Sequence, residues 1–394
     1  MALGAVVGVL AGLSSAAFLE ALRWVTEVRL DHGWLIALLP AGGLAIGAVY
    51  HYLGGRSAGG SVLIIDEIHE PTTWVPRRMA PLVFGGTVAT HLFGGSAGRE
   101  GTAIQMSGSL TDAFSRHARL GPADRRMLLI ASLGGGFGAV FGVPFAGWVF
   151  ALEVRTGGRM RFDACLPALV ASFVGDAVVR GLGVEHTPLP ELAPVHLSAA
   201  LVAKVVLAGV AFGLTSRLFV TVTHELKRLC SRLLPWTPAR LMAGGIAVLA
   251  LTAVVGNRDY LGLSLPLITK AVVGGAGIVG GAFALKLVFT AVTLGSGFPG
   301  GEVTPLFVIG ATLGVTMGRM LDVPIPLMAA VGFVSVFAGA ANTPIACAVM
   351  GIELFGWEGA ALFVVGCVVS FAMSSHHGIY GTHRAAPTAA EESR

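Results

Sequence analysis

Apolar residues run along this chain in long blocks, and polar residues are confined to the short stretches between them. The blocks fall near residues 3–24, 34–54, 79–93, 101–114, 127–141, 143–154, 161–182, 197–222, 239–255, 271–294, 303–318, 324–340, 344–356 and 359–373. A bilayer core about 30 Å thick is crossed by about 20 apolar residues in a helix, and the longer blocks reach that length. The pattern predicts an all-α membrane protein. Blocks 101–114, 143–154, 303–318 and 344–356 are too short to span alone and are interrupted by Gly or Pro. Irregular backbone survives at membrane depth only where protein or a water cavity covers it. Short, broken segments at matching places in two halves mark a transporter whose discontinuous helices meet at a central site.

The halves match in detail. Gly95-Ser96-Ala97-Gly98-Arg99-Glu100-Gly101-Thr102 and Gly297-Phe298-Pro299-Gly300-Gly301-Glu302-Val303-Thr304 both spell G-x-x-G-x-E-x-T. Further on, Pro144 and Glu153 stand nine residues apart, as do Pro344 and Glu353. Two blocks at nearly one offset make an internal repeat. The expected division is 1–190 and 191–394, with no soluble domain appended. The cations Arg116, Arg119, Arg125 and Arg126, and those of 217–240, place these stretches on the cytoplasmic side. The linker 183–196 holds Glu185 and Glu191 but no Lys or Arg and reads as external. An inverted repeat reconciles these assignments.

Composition sharpens the class. Hydrophobic residues make up 54% and charged residues 12%, half the share usual in a soluble domain. The mean hydropathy is +0.79. The 56 glycines suit helices packed closely in lipid. A net charge of +4, carried in loops, is explained by topology without a nucleic-acid partner. Cys165, Cys230, Cys347 and Cys367 form no C-x-x-C pair and read as buried thiols. The first block lacks a cationic leader and reads as a span. No Walker loop, H-E-x-x-H or nucleophile elbow is present, so an ATP-driven pump or a membrane hydrolase lacks its parts. No cofactor or metal is expected.

Glu100 and Glu302 carry the candidate chemistry. Each follows glycines and precedes an apolar run, where a helix begins near the bilayer midplane. Such a start presents unsatisfied N–H groups and the positive end of the helix dipole, so it attracts an anion. An ionised glutamate takes that place itself, and a protonated one leaves it with a proton aboard. The plain alternative is a helix-capping glutamate without a transport role, although acids inside membrane segments are usually functional.

These residues resemble the signatures of the CLC family of anion channels and proton-coupled antiporters. The likeness spans nearly the whole chain, including Tyr260-Leu261-Gly262-Leu263 and the Pro344–Glu353 block. It implies an inverted-repeat multi-helix bundle of the CLC type in the cell (inner) membrane, with discontinuous and re-entrant helices. It also implies a homodimer, here through roughly 143–182 and 344–373, with one anion pathway in each subunit. By this resemblance Glu100 is the gating and proton-transfer glutamate, and Tyr380, in His376-His377-Gly378-Ile379-Tyr380, closes the inner end of the anion site. Ser61 stands in the family's serine-bearing loop, and Gly98, Arg99, Gly101, Thr102, Val303 and Thr304 are expected around the anion. An interfacial anchor for Tyr380 and a helix cap for Ser61 are the alternatives.

Departures from the chloride-handling pattern select a branch. Chloride-handling relatives carry proline where this chain has Thr102 and a hydrophobic pair at Glu302-Val303. Their inner proton-relay glutamate is replaced by Val154, which leaves Glu302 as the second coupling glutamate. Thr102, Glu302, Val303 and Thr304 are similar to the fluoride-exporting branch, which implies a transporter, not an enzyme, exchanging fluoride for protons. Ser61 is the chloride branch's residue, so a chloride-selective antiporter or an uncoupled channel stays open. Among other polar groups, Lys286 is expected to snorkel or pair and Glu153 and Glu353 to bond backbone. Asp66, Glu67 and His69 are expected as solvated loop ends, and Asp124-Arg125-Arg126 as a helix start.

Overall fold

The protein is described from a computed structural model, which covers residues 1–154, 162–375 and 377–382. Sixteen α-helices are found among these residues, and they fall into two sets of eight in the same order. The first set is α1 (Ala2–Asp31), α2 (Leu39–Val49), α3 (Gly60–His69), α4 (Met79–Leu92), α5 (Glu100–His117), α6 (Pro122–Phe141), α7 (Pro144–Glu153) and α8 (Cys165–Gly181). The second is α9 (Ala199–Leu233), α10 (Thr237–Val255), α11 (Leu265–Val273), α12 (Ala282–Gly295), α13 (Val303–Leu321), α14 (Ile325–Ala341), α15 (Pro344–Phe355) and α16 (Ala360–Met373). A two-residue antiparallel pairing of β1 (His377–Gly378) with β2 (Gly381–Thr382) follows. Six helical runs among the described residues are long and apolar enough to cross a membrane.

Packing repeats with the order. Helix α1 lies against α6 and α8, and α9 lies against α14 and α16. The halves join where α7 meets α15 and α2 meets α10. Near the centre Phe137 of α6 and Phe337 of α14, 200 positions apart, stack with planes 11° apart. The second set is inverted relative to the first. The connection between α8 and α9 touches the end of α6, where a Cβ on Gly142 would lie 2.8 Å from His186 Nδ1. The start of α9, just after this connection, touches the approach to α14, where Lys204 Nζ donates to the Asp322 carbonyl at 3.0 Å. One helix thus ends where its counterpart begins. The boundary expected at 190 falls within this connection.

Two expected segments resolve differently. The apolar run 271–294 is not one helix: α11 and α12 are separated by a glycine-rich turn in which Gly274, Gly275 and Gly277 have φ of +140°, +72° and +74°. Those angles suit glycine alone, and the apolar pattern reads straight through them. Residues 60–69, outside every expected block, form α3, a short helix of mixed polarity.

Helices α13 and α14 approach at glycines. A Cβ on Gly310 would lie 2.1 Å from the Gly332 carbonyl oxygen, a backbone atom that cannot step aside. Gly310→Ala is therefore expected to destabilise the protein by about 1–3 kcal/mol through overpacking. Gly85→Ala in α4, where nothing lies within 4 Å, is expected to stabilise by about 0.5–1 kcal/mol through the alanine's higher helix propensity. Thermal unfolding of the two purified variants in one detergent measures both; equal shifts would refute the packing argument.

Candidate functional site

Helices α5 and α13 start in the protein interior, facing each other. Gly98 N–H donates to the Gly301 carbonyl at 2.6 Å, and Gly301 N–H donates to the Gly98 carbonyl at 2.8 Å. This two-residue antiparallel bridge holds the helix starts together. Only glycine fits there, since a Cβ on Gly301 would stand 2.9 Å from Gly101 N and 3.1 Å from Glu100 N. The consequence is electrostatic. Two dipole ends and their free N–H groups are brought to one place without water to satisfy them.

Glu100 fills that place. Its side chain is fully buried, and the carboxylate turns from its own helix toward the start of α13. Oε2 accepts from Thr304 N–H at 3.0 Å and from Arg99 N–H at 3.1 Å, while Oε1 accepts from the Thr304 hydroxyl. Arg99 Nε stands 3.6 Å from Oε1. The carboxylate therefore makes the contacts a bound anion would make: a helix-start N–H, a hydroxyl and a nearby cation.

The other candidates differ in what each side chain meets. Glu302 holds the residue position just before α13 without a side-chain capping bond, and is half-buried. No hydrogen bond to its carboxylate is found among the described residues, and Lys227 of α9 is the cation acting on it. Val303 is buried beside it as an apolar wall. The Tyr380 ring packs edge-on against Phe150, with centroids 5.8 Å apart. Its hydroxyl is buried without a hydrogen-bond partner and within electrostatic range of both Glu302 and Glu100. Ser61 Oγ accepts from Gln105 Nε2 at 3.3 Å and sits 3.8 Å from where a Gly101 Cβ would be. Thr102 points elsewhere: its hydroxyl pairs with that of Thr87 on α4 at 2.8 Å. His376 lies outside the described residues.

Glu153 and Glu353 bond backbone as expected, whereas Glu67 and Lys286 depart from the sequence reading. Glu153, at the end of α7, accepts from Ile345 and Ala346 N–H at 2.9 and 2.7 Å, capping the start of α15. Glu353 returns the favour to α7 through Phe145 and Ala146 N–H at 2.9 and 2.6 Å. Glu67 is no solvated loop end. It is 2% exposed, paired with Arg56 and Arg125 and bonded to Thr72 and Thr73. Asp112 completes this network by binding Arg125 at 2.6 Å and Val75 N–H at 2.6 Å. Lys286 neither snorkels nor pairs with an acid among the described residues. It is fully buried, and Nζ donates within 2.8–3.2 Å of Gly262 O, Ser264 Oγ, Ser96 Oγ and Tyr260 O. No periodicity signals this arrangement, because the acceptors are three loop residues and one serine far apart in sequence.

The comparisons with known proteins agree on one family. A profile described as "Voltage gated chloride channel" matches residues 42–375. A "Chloride/fluoride channel protein" of Pseudomonas syringae pv. tomato is 46% identical over 392 residues, covering 98% of this chain and 86% of that one. An H(+)/Cl(-) exchange transporter of Vibrio cholerae is 28% identical, covering 89% of this chain and 81% of that one. Among solved structures, a CLC-type fluoride/proton antiporter superposes with a TM-score of 0.93 at 35% identity, covering 96% and 95% of the two chains. A slow cyanobacterial Cl-/H+ antiporter matches with a TM-score of 0.78 at 20% identity over 95% and 93%, which bears on fold alone.

The two threonines give a test. Thr304→Val removes a hydroxyl donor to a carboxylate, an interaction worth about 1.5–3 kcal/mol, and should shift the half-saturating anion concentration for flux about tenfold. Thr102→Val breaks only the contact with Thr87 and should leave that concentration within about twofold, at about 1 kcal/mol of stability. Anion flux from proteoliposomes reads both. A Thr102 effect as large as the Thr304 effect would refute this division.

Proposed function

The chain belongs to the voltage-gated chloride channel family, as a multi-pass membrane protein, and we propose that within it this protein exports fluoride in exchange for protons. The observation that carries the reading is the Glu100 carboxylate seated on the start of α13, held by the N–H and hydroxyl of Thr304. Protonation removes the charge that these donors hold, and the neutral side chain yields its place to an anion. Fluoride suits the vacated donors. It is small and tightly hydrated, so its hydration must be replaced by fixed N–H and O–H groups at close range. It is also basic enough to share a proton with a neighbouring carboxylic acid, which links the two movements at one point.

Tyr380 offers a second hydroxyl, buried and with no partner of its own. We assign Glu302 to the inner proton step. Its carboxylate is half-buried, carries no hydrogen bond among the described residues and lies under the influence of Lys227, which sits in a stretch read as cytoplasmic. Val154, at the end of α7, is buried and cannot relay a proton. Ser61 and Gln105 line the approach beside Gly101. Chloride-selective exchange is the second reading, and Ser61 with the chloride exchangers among the relatives supports it. Proteoliposome flux with fluoride and chloride compared side by side decides between them. Faster chloride than fluoride would overturn the fluoride reading.

Glu100→Gln keeps the shape and removes the titratable group, so proton coupling should vanish while anion binding remains possible. Glu302→Gln should abolish exchange while the protein still purifies folded, because a glutamate that only held the loop would tolerate the amide. Proton uptake under a fluoride gradient, measured in both variants, is the check. Persistent coupling in either removes that residue from the mechanism.

We also propose a homodimer through 143–182 and 344–373. The first turns of α7 and α15 expose Phe145 and Ile345, each 51% accessible, next to the carboxylates that cap them. Phe173 packs edge-on against Phe145 and extends this apolar face. Ile345→Arg should convert a dimer to a monomer in native mass measurement. A wild-type protein that is monomeric throughout would refute the interface.

A further inference from the structure

A cavity of about 500 Å³ opens beside the start of α5, on the side that carries the connection between the halves. Its exposed rim mixes charges: Arg23, Arg258 and Lys270 alternate with Glu27, Glu185 and Asp259. The deep part is different. Its buried ionisable side chains are Arg29, 8% exposed, and Arg99, whose side chain is 13% exposed.

Each guanidinium has one nitrogen without a hydrogen-bond partner. Arg29 Nη1 and Arg99 Nε are buried without a hydrogen-bond partner. Arg99 has Glu100 at 3.6 Å, and no ion pair to Arg29 is found among the described residues. Leaving a buried charged donor unpaired is among the most unfavourable arrangements in a protein interior. The fold nevertheless accommodates it. A Cβ on Gly262, whose φ is +59°, would lie 2.5 Å from Arg29 Nη1, so the chain uses a glycine where the guanidinium needs room. The other side of the same loop is gripped by Lys286, whose Nζ takes the Tyr260 and Gly262 carbonyls. Arg29 therefore meets the loop backbone at a point where that carbonyl is already engaged.

We infer that the floor of this cavity is a second anion site, in which Arg29 Nη1 and Arg99 Nε donate to a small inorganic anion one step outside Glu100. The inference rests on the proposed transport, which makes fluoride the occupant, leaving Thr304 for Arg99 and Arg29 before it reaches outside water. Arg99 then faces two anions in turn, the Glu100 carboxylate below and the transported ion above. Its Nε carries a single N–H, which makes no hydrogen bond to Glu100 at 3.6 Å and so is available to the outer ion. The competing account is that Arg29 only packs against the 260–264 loop, in which case it binds nothing.

Equilibrium dialysis of the purified full-length protein in detergent, read with a fluoride electrode, separates the two. Arg29→Gln should bind one fluoride fewer per chain than wild type. Arg29→Lys should keep the count but weaken that fluoride about tenfold, because a point charge on a flexible stem does not reproduce the donor fork. If the glutamine variant fails to fold, the lysine variant decides, and an isotherm identical to that of wild type overturns the inference. Equal counts in folded Arg29→Gln and wild type overturn it as well. Fluoride-driven proton uptake by wild-type vesicles is measured in parallel. Its absence would strike the transport reading itself, whereas its presence with unchanged isotherms strikes the outer site alone.

Discussion

A helix that begins inside a membrane protein leaves N–H groups that no water can reach, and much of this fold is arranged around four such starts. In aqueous surroundings these groups would be hydrated at little expense. Buried, each requires an acceptor. At α7 and α15 the acceptors are permanent: Glu353 and Glu153 cross between the halves and bond two N–H groups apiece. At α13 the acceptor is the single carboxylate of Glu100, which comes from the neighbouring helix and has one backbone N–H and one hydroxyl there. The same physical demand is met at α7 and α15 by reciprocal caps between the halves, and at α13 by a carboxylate from the adjoining helix.

Inverted duplication makes this possible. Two helices entering from opposite sides can bring their starts together without burying a charged residue from a third element. The Gly98–Gly301 bridge then needs only two backbone bonds and no side chain. The stacked Phe137 and Phe337 rings show the same relation carried into the apolar core. Symmetry stops at the side chains. Glu100 leans onto α13, while its counterpart Glu302 is half-buried and faces the influence of Lys227 instead of the start of α5. Related positions with different neighbours are what a transporter requires if one carboxylate is to serve the anion site and another the route to one side.

Much of this was legible in the sequence because the governing signals are local. Apolar block lengths located most spans, although the 303–318 block, read as too short, continues to Leu321 and is long enough to cross. The motif G-x-x-G-x-E-x-T located both buried helix starts, since glycines followed by an acid and an apolar run have few other uses. The misreadings share a cause as well. The 271–294 run looked continuous because glycine counts as apolar in a pattern, whereas its positive φ values break the helix. Glu67 looked like a loop end because its partners Arg56, Arg125, Thr72 and Thr73 come from other segments. Thr102 and Thr304 occupy equivalent places in the motif, yet one hydroxyl meets Thr87 and the other meets Glu100. Rotation about one side-chain bond, set by the neighbouring helix, is not written in a motif.

Lys286 extends the argument to the field around the site. Four neutral acceptors satisfy its protons geometrically, but a carbonyl or hydroxyl dipole offsets a full charge only in part. At the motif's offset of 302 − 100 = 202, its place in the other half is taken by Phe84, so the helical packing itself does not call for a cation. One of its acceptors, Ser96, belongs to the loop that ends at Glu100 and is also bonded to Thr290 and Thr293 on α12. The lysine thereby ties down the loop that leads to Glu100. Arg99 adds its guanidinium 3.6 Å from the Glu100 carboxylate, so this buried acid meets an N–H, a hydroxyl and a cation together.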